Sequence, residues 1–322
     1  MTPAGELLAD EIRREGSIPF RRFMEVALYH PEYGYYRRPR DPFGKEGDFF
    51  TAEQVQPVFG TLIAARIRQL YRAMGEPRGF TVVELGAGRG EMSPALAGWR
   101  YIPIDVDSGA LPEAFDGVVF SNEFFDALPV DAAVFRGGGF RERRVTRIGD
   151  AFAWHDGGTV APEVERFLRR WFPPPEEGRC YEANLAALAW MGRLGRSLRS
   201  GYLLTIDYGF TLQEAIRFPA GTLMGYRRHT AHDNVLDEPG ARDITAHVNF
   251  SALEESGVEC GFVTERFETL AQTILAAGEE DQFAAALGAG DPAGEFQRRM
   301  QLKTLLFGMG ETFRVLLQRK KT

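Results

Sequence analysis

Apolar and polar positions alternate along the chain in three ways. Between Pro19 and Tyr29, the residues Phe20, Phe23, Met24, Ala27 and Leu28 recur at i, i+3, i+4, i+7 and i+8. That spacing puts them on one side of a helix, which Pro31 and Gly34 end. An earlier helix opens at Thr2-Pro3, with Thr2 as cap and Pro3 in the first helical position. A longer one starts near Pro57 and carries Val58, Phe59, Leu62, Ile63, Ile67, Leu70, Tyr71 and Met74 on one face. Proline lacks the N–H that a deeper position would need. The pattern then changes to short, nearly all-apolar runs: 80–85, 99–106, 116–121 and 201–207. Runs of this kind separated by helices predict buried parallel strands. The stretch over about 130–160 is polar, with glycine turns, and predicts an antiparallel insertion. Helices are expected over 162–172 and 184–199, and two tail strands over 259–266 and 312–318. The order predicts an α/β, doubly wound (Rossmann-like) sheet. It predicts a helical cap or lid over 1–78 and a main domain over 79–322, with a helical insertion at about 265–310.

Composition narrows the class. A chain of 322 residues suggests two domains, or one with a large insertion, at roughly 150 residues per domain. Lys and Arg number 38 and Asp and Glu 45, so the net charge is 38 − 45 = −7. That argues against a sequence-independent grip on nucleic acid, which needs a basic surface. Arg141, Arg143, Arg144 and the Arg319-Lys320-Lys321 tail are too local to change this. No apolar run reaches ~18 residues, so no membrane span is predicted. The N-terminal stretch lacks the character of a signal or transit peptide, and a cytoplasmic location is expected. Cys180 and Cys260 are too isolated for a disulfide framework or a zinc site.

The densest motif is Val82-Val83-Glu84-Leu85-Gly86-Ala87-Gly88-Arg89-Gly90. A strand leads into three spaced glycines, which let a ligand approach the backbone where a Cβ would collide. Glu91 stands where a dinucleotide fingerprint has its third glycine, and its charge would oppose a pyrophosphate there. S-adenosylmethionine has no phosphate and carries a sulfonium and an ammonium. Asp105 ends the next strand, where an acid can accept both ribose hydroxyls. Glu84, Gly86, Ala87, Gly88, Gly90 and Asp105 are therefore the candidate cofactor residues. A nicotinamide-type cofactor, or a tight turn beside a surface acid, are the competing readings.

Several blocks carry a resemblance: FRRFMEVALYHPEYGYY, GDFFTAEQVQPVFGTLIA, VELGAGRG, SNEFFDALPV, LLTIDYG, GTLMGYRRHTAHD and DITAHVNF. In this order they resemble the MidA-like methyltransferases, whose mitochondrial members assist assembly of respiratory complex I. The resemblance spans nearly the whole chain. It implies a seven-stranded class I methyltransferase sheet, S-adenosylmethionine as donor and, for mitochondrial members, methylation of an arginine in a complex I subunit. It also implies that the segment with Asp48 and Thr51 folds over the cofactor, although Thr51 reads equally as a helix cap. The stretch 91–116 is shorter than is usual in the family, which has an extra strand and helix there.

Methyl transfer from a sulfonium mainly requires alignment of donor and acceptor and removal of a proton. The loop SNEFFDALP follows the strand 116–121 and supplies Asn122, Glu123 and Asp126. Arginine methyltransferases as a class use carboxylates in this loop, and a carboxylate matches the guanidinium fork. Glu123 is the first candidate and Asp126 the second. The alternatives are that Asp126 caps a short helix and that Glu123 pairs with a structural arginine. Phe124 and Phe125 read as core. Asp207 and Tyr208 end the strand LLTID, and Tyr208 would either bind substrate or pack. The spacing of His229 and His232 suits a helix face, but Arg227 and Arg228 would oppose a cation, so no metal is expected. Arg227, His229, Asp243 and His247 instead suggest a polar acceptor site or a structural network. The expected function is S-adenosylmethionine-dependent methylation, preferably of a protein arginine, with a respiratory-complex subunit among the candidate acceptors. A small-molecule acceptor, or a non-catalytic assembly protein keeping the fold, are the alternatives, and the oligomeric state is left open.

Overall fold

The computed structural model describes residues 1–37, 56–227 and 230–320. Two compact units share the chain, each built from three stretches. The first takes 1–50, 125–189 and 210–253, and the second takes 51–124, 190–209 and 254–322. The helices that matter below are α1 (Pro3–Glu15), α2 (Phe20–Tyr29) and α3 (Val58–Ala73).

The second unit holds the main sheet. In chain order its strands are β1 (Thr81–Leu85), β2 (Arg100–Ile104), β3 (Phe115–Asn122), β4 (Leu198–Phe210), β5 (Phe262–Thr269) and β6 (Phe313–Lys320). Their spatial order is β5-β6-β4-β3-β1-β2. β1 runs parallel to β2 on one side and to β3 on the other, and β3 is parallel to β4. The tail strands run antiparallel, β6 against β4 and β5 against β6. Every residue of β1 is buried, as expected of a strand covered on both faces. The apolar face of α3 enters the same core: Phe59, Ile63 and Ile67 join Val82, Val118, Phe120 and Leu204. The architecture is the predicted doubly wound α/β sheet. The connection from β2 to β3, residues 105–114, contains no helix, so β2 edges the sheet. Pro103 suits that edge because it offers no N–H to a further strand.

The first unit places α1 and α2 with a five-stranded antiparallel sheet. Thr2 caps α1 by accepting from the Gly5 N–H at 3.0 Å, Pro3 begins the helix and Gly16 ends it. The strands Ile18–Pro19, Gly139–Ile148, Asp131–Arg136 and Cys180–Ala183 lie in that order, and Ala151–Thr159 also pairs with Gly139–Ile148. Phe20, Phe23, Met24 and Leu28 of α2 are buried with Val130, Val145 and Ile244. A second, three-stranded sheet joins Thr230–His232, Met224–Arg227 and Asp243–Thr245, which the sequence reading left without structure. His232 thus ends a strand rather than sitting on a helix face.

Burial of α2 sets a test. Phe23 is fully buried, 5.4 Å from the Phe152 ring and 6.1 Å from Phe20. Phe23→Ala is expected to cost about 3–5 kcal/mol, because it leaves a cavity among rigid neighbours. Leu7→Ala, on the exposed face of α1, should stay within about 0.5 kcal/mol. Urea unfolding of both variants measures the contrast; equal losses would contradict the assigned face.

Candidate active site

The parallel register brings three strand ends level with the middle of the fourth strand. Leu85 faces Ile104 of β2 and Ser121 of β3, and Asn122 faces Ile206 of β4. Gly86, Asp105 and Glu123 therefore leave the sheet along one edge, level with Asp207, where β4 continues to Phe210. The order of strand addition reverses between β1 and β3, and ligands of open α/β sheets bind at such a switch point, outside the carboxyl ends of the strands.

The glycine loop is fastened there by backbone bonds. Gly86, Gly88 and Gly90 have φ of 73°, 52° and 77°, left-handed values that glycine adopts without strain. The N–H groups of Gly86 and Ala87 both donate to the Ile104 carbonyl, at 2.8 and 3.1 Å. Gly88 N–H donates to Asp105 Oδ2 at 2.5 Å, and Val106 N–H donates to Asp105 Oδ1 at 2.5 Å. Asp105 thus locks the loop to the end of β2. Each carboxylate oxygen accepts more than one donor, so both keep capacity for a ribose hydroxyl. Glu84 is buried and accepts from the Tyr101 hydroxyl. Glu91 pairs with Arg89 at 2.7 Å. An anionic side chain beside exposed backbone and a terminal carboxylate suit a phosphate-free nucleoside, and these residues fit S-adenosylmethionine.

The loop after β3 lies against the glycines. A Cβ on Gly86 would stand 3.1 Å from Phe124 Cδ2. Phe124 was expected in the core but is half-buried, with Trp190 edge-on at 5.3 Å and the Arg193 guanidinium 3.8 Å from the Trp190 ring. Phe125 is buried as expected. Glu123 has φ of 50°, uncommon for a residue with a Cβ, and its N–H donates to the Ile206 carbonyl at 3.0 Å. Asn122 Nδ2 donates to Glu123 Oε1 at 3.2 Å. On β4, Asp207 is buried and accepts from the Tyr208 N–H at 2.9 Å. The Tyr208 ring packs edge-on against Phe313 at 5.6 Å.

The remaining candidates belong to the first unit. Asp126 is buried, no helix begins at it, and its carbonyl accepts from Ala246 N–H at 2.9 Å. Arg227 pairs with Glu238, which Arg242 also holds at 2.8 Å. Asp243 accepts from the Tyr36 hydroxyl at 2.9 Å. Burial, then the Asp243 charge, raises the Tyr36 phenol well above its ordinary range. His247 N–H donates to Thr222 Oγ1, and its ring meets Phe218 edge-on at 5.2 Å. Burial lowers the His247 imidazole to about 4. Thr222 also donates from its hydroxyl and its N–H to Glu182, whose carboxyl burial pushes up to about 7. Glu182 and Thr222 escaped the sequence reading, since nothing near them in the chain signals burial. Asp48, Thr51 and His229 lie outside the described residues. Among the described residues no group of three or more His, Cys, Asp or Glu could hold a metal ion.

Three expectations follow from this geometry. Gly88→Val forces a branched side chain into a left-handed position at the ligand edge and should abolish S-adenosylmethionine binding in a folded protein, measured by calorimetry. Asp105→Ala should weaken that binding by about 1.5–3 kcal/mol, since charge-assisted bonds to the loop and the ribose are lost together. The same loss from Asp107→Ala would misplace the site. Glu182 sets a pH test. Its folded value of about 7 lies above the ordinary 4.5, so the folded state keeps a proton that the unfolded chain has lost. Stability from this group is full below 4.5 and lost as pH rises through about 7. His247 acts oppositely over nearly the same range, with stability lost as pH falls from 6.5 toward 4. Glu182→Gln isolates the first slope: it should gain on wild type by up to roughly 3 kcal/mol between pH 5 and 8. Denaturant unfolding at both pH values reads the change.

Comparison with known proteins identifies the family and its cofactor. Residues 99–268 match a family described as "Putative S-adenosyl-L-methionine-dependent methyltransferase". The chain is similar to the mitochondrial protein arginine methyltransferase NDUFAF7 homologue of Drosophila melanogaster, 28% identical and covering 76% of this chain and 68% of that protein. The Homo sapiens protein of that name is 26% identical, over 79% of this chain and 68% of its own length. A likely methyl transferase of Burkholderia thailandensis, solved with bound S-adenosyl-homocysteine, is 31% identical with a TM-score of 0.85, covering 98% of this chain and 92% of that one. A match over more than half of the sequence, a close structural likeness and a glycine edge fitted to the same nucleoside agree: the chain belongs to the MidA-like family of S-adenosylmethionine-dependent methyltransferases, with S-adenosylmethionine as its cofactor.

Proposed function

We propose that the enzyme methylates a guanidinium nitrogen of a protein arginine, and that Glu123 holds the guanidinium. One observation carries the reading. Glu123 sits at the carboxyl end of a central strand, in a left-handed backbone conformation, beside the glycine loop. Unfavourable backbone at a strand end persists where its surroundings enforce it, and it gathers at functional sites. Relatives named as protein arginine methyltransferases support the same acceptor.

Bound S-adenosylmethionine supplies a methyl group on a sulfonium, a leaving group that is already activated. Around it the chain has a limited task. Gly86, Gly88 and Asp105 hold the nucleoside end. Glu123 accepts N–H groups from the guanidinium and draws its positive charge away from the attacking nitrogen. One guanidinium proton has to leave, and the Glu123 carboxylate is the group that receives it.

Glu123→Gln keeps size and hydrogen bonding but removes the charge. S-adenosylmethionine affinity should stay within about threefold, under ~0.7 kcal/mol. Single-turnover transfer should fall at least ~100-fold, about 2.7 kcal/mol of transition-state stabilisation. The labelled product, hydrolysed to amino acids, should be methylarginine. Wild-type transfer rates in the variant would remove Glu123 from the mechanism. Label recovered only in small molecules would favour a small-molecule acceptor.

A further inference from the structure

We propose that Asn122 is a second acceptor-binding residue, whose side-chain carbonyl receives an N–H of the guanidinium that Glu123 holds; this rests on the arginine reading above. Asn122 is the last residue of β3 and is 4% exposed. Its Nδ2 is used, donating to Glu123 Oε1 at 3.2 Å. Its Oδ1 is buried and has no hydrogen-bond partner among the described residues. A buried amide oxygen left unmade costs roughly 1–3 kcal/mol, so its placement at a ligand edge calls for a donor.

Glu123 also fixes which way the amide points. Turned over, the amide would set its oxygen against the Glu123 carboxylate, two acceptors with no hydrogen between them. The oxygen must therefore face away from Glu123. The pair then offers a carboxylate and an amide carbonyl side by side, both acceptors, at the end of one strand. Phe124, the next residue, touches the glycine loop, so the pair stands at the cofactor edge. A ligand that satisfies both needs two N–H groups in one plane, which is the guanidinium fork. A hydroxyl acceptor has a single donor and would leave Oδ1 unpaired.

Two measurements test the assignment. Wild-type enzyme is given radiolabelled S-adenosylmethionine and host lysate protein freed of small molecules, and the product is hydrolysed. Methylarginine is expected, and its absence would overturn both the arginine reading and this assignment. The second measurement compares Asn122→Ala and Asn122→Asp on the same acceptor fraction, with cofactor affinity read by calorimetry and folding by thermal melting. Both variants should bind S-adenosylmethionine within about threefold of wild type. Asn122→Ala removes the oxygen and should raise the half-saturating acceptor concentration at least ~10-fold. Asn122→Asp keeps the oxygen but sets a like charge against Glu123. Its half-saturating concentration should stay within about threefold while its maximal rate falls at least ~10-fold. Methylarginine formed by Asn122→Ala with wild-type parameters would overturn this assignment alone. A loss confined to cofactor affinity would overturn it too, moving Asn122 to the cofactor. Should Asn122→Ala melt early, the split in the near-isosteric Asn122→Asp decides.

Discussion

The register of β1 between two parallel neighbours is the constraint on which the site depends. β1 is buried along its length, so a shift by one residue would exchange the side chains of its two packed faces. With the register held, Leu85, Ile104 and Ser121 finish level, and the loops that follow them start side by side. One carbonyl, that of Ile104, then collects two N–H groups of the glycine loop, and one carboxylate, that of Asp105, collects a third. The nucleoside edge is in this way a consequence of strand pairing. The connection that follows β2, residues 105–114, contains no helix.

The acceptor edge spends some of that stability. A residue with a Cβ in the left-handed region costs of order 1–2 kcal/mol. Glu123 is held there by its own N–H, which donates to the Ile206 carbonyl one position beyond β3. The packing of Phe124 against Trp190 holds the following residue. A carboxylate fixed from both sides needs little reorganisation when a cation arrives, which is where an electrostatic contribution to catalysis is largest.

Much of the second unit was legible in the sequence. The four apolar runs, the glycine spacing and Asp105 are local signals, because a buried parallel strand and a ligand-contacting turn each impose their composition within a few residues. The strand through Asp207 continues past the predicted end to Phe210, since sheet pairing rather than composition sets its length. The first unit hid more. Strands of three or four residues, such as Asp243–Thr245 and Cys180–Ala183, are too short to display an alternation. Tyr36 and Asp243 are separated by 207 positions, and Glu182 and Thr222 by 40. No spacing rule connects such pairs, so Asp243 and His247 stand out in the sequence only as polar residues in a motif, and Glu182 does not stand out at all.

The buried polar groups of the first unit share a physical logic that differs from that of the glycine edge. Burial raises Glu182 and Tyr36 and lowers His247, in each case toward the uncharged form. Thr222 joins two of them: its hydroxyl donates to Glu182 and accepts from the His247 backbone. A hydroxyl has one hydrogen, so while that hydrogen is given to Glu182 the His247 N–H must meet a lone pair, as it does. Replacing Thr222 by valine would strand both partners, the Glu182 carboxyl and the His247 backbone N–H. Glu123 and Asp105 stand elsewhere, each just past the end of a strand. A carboxylate in such a place matches the contacts proposed for a guanidinium and a ribose. Burial that favours the uncharged form at Glu182, Tyr36 and His247 leaves Asp105 and Glu123, at the sheet edge, as carboxylates that a ligand can reach.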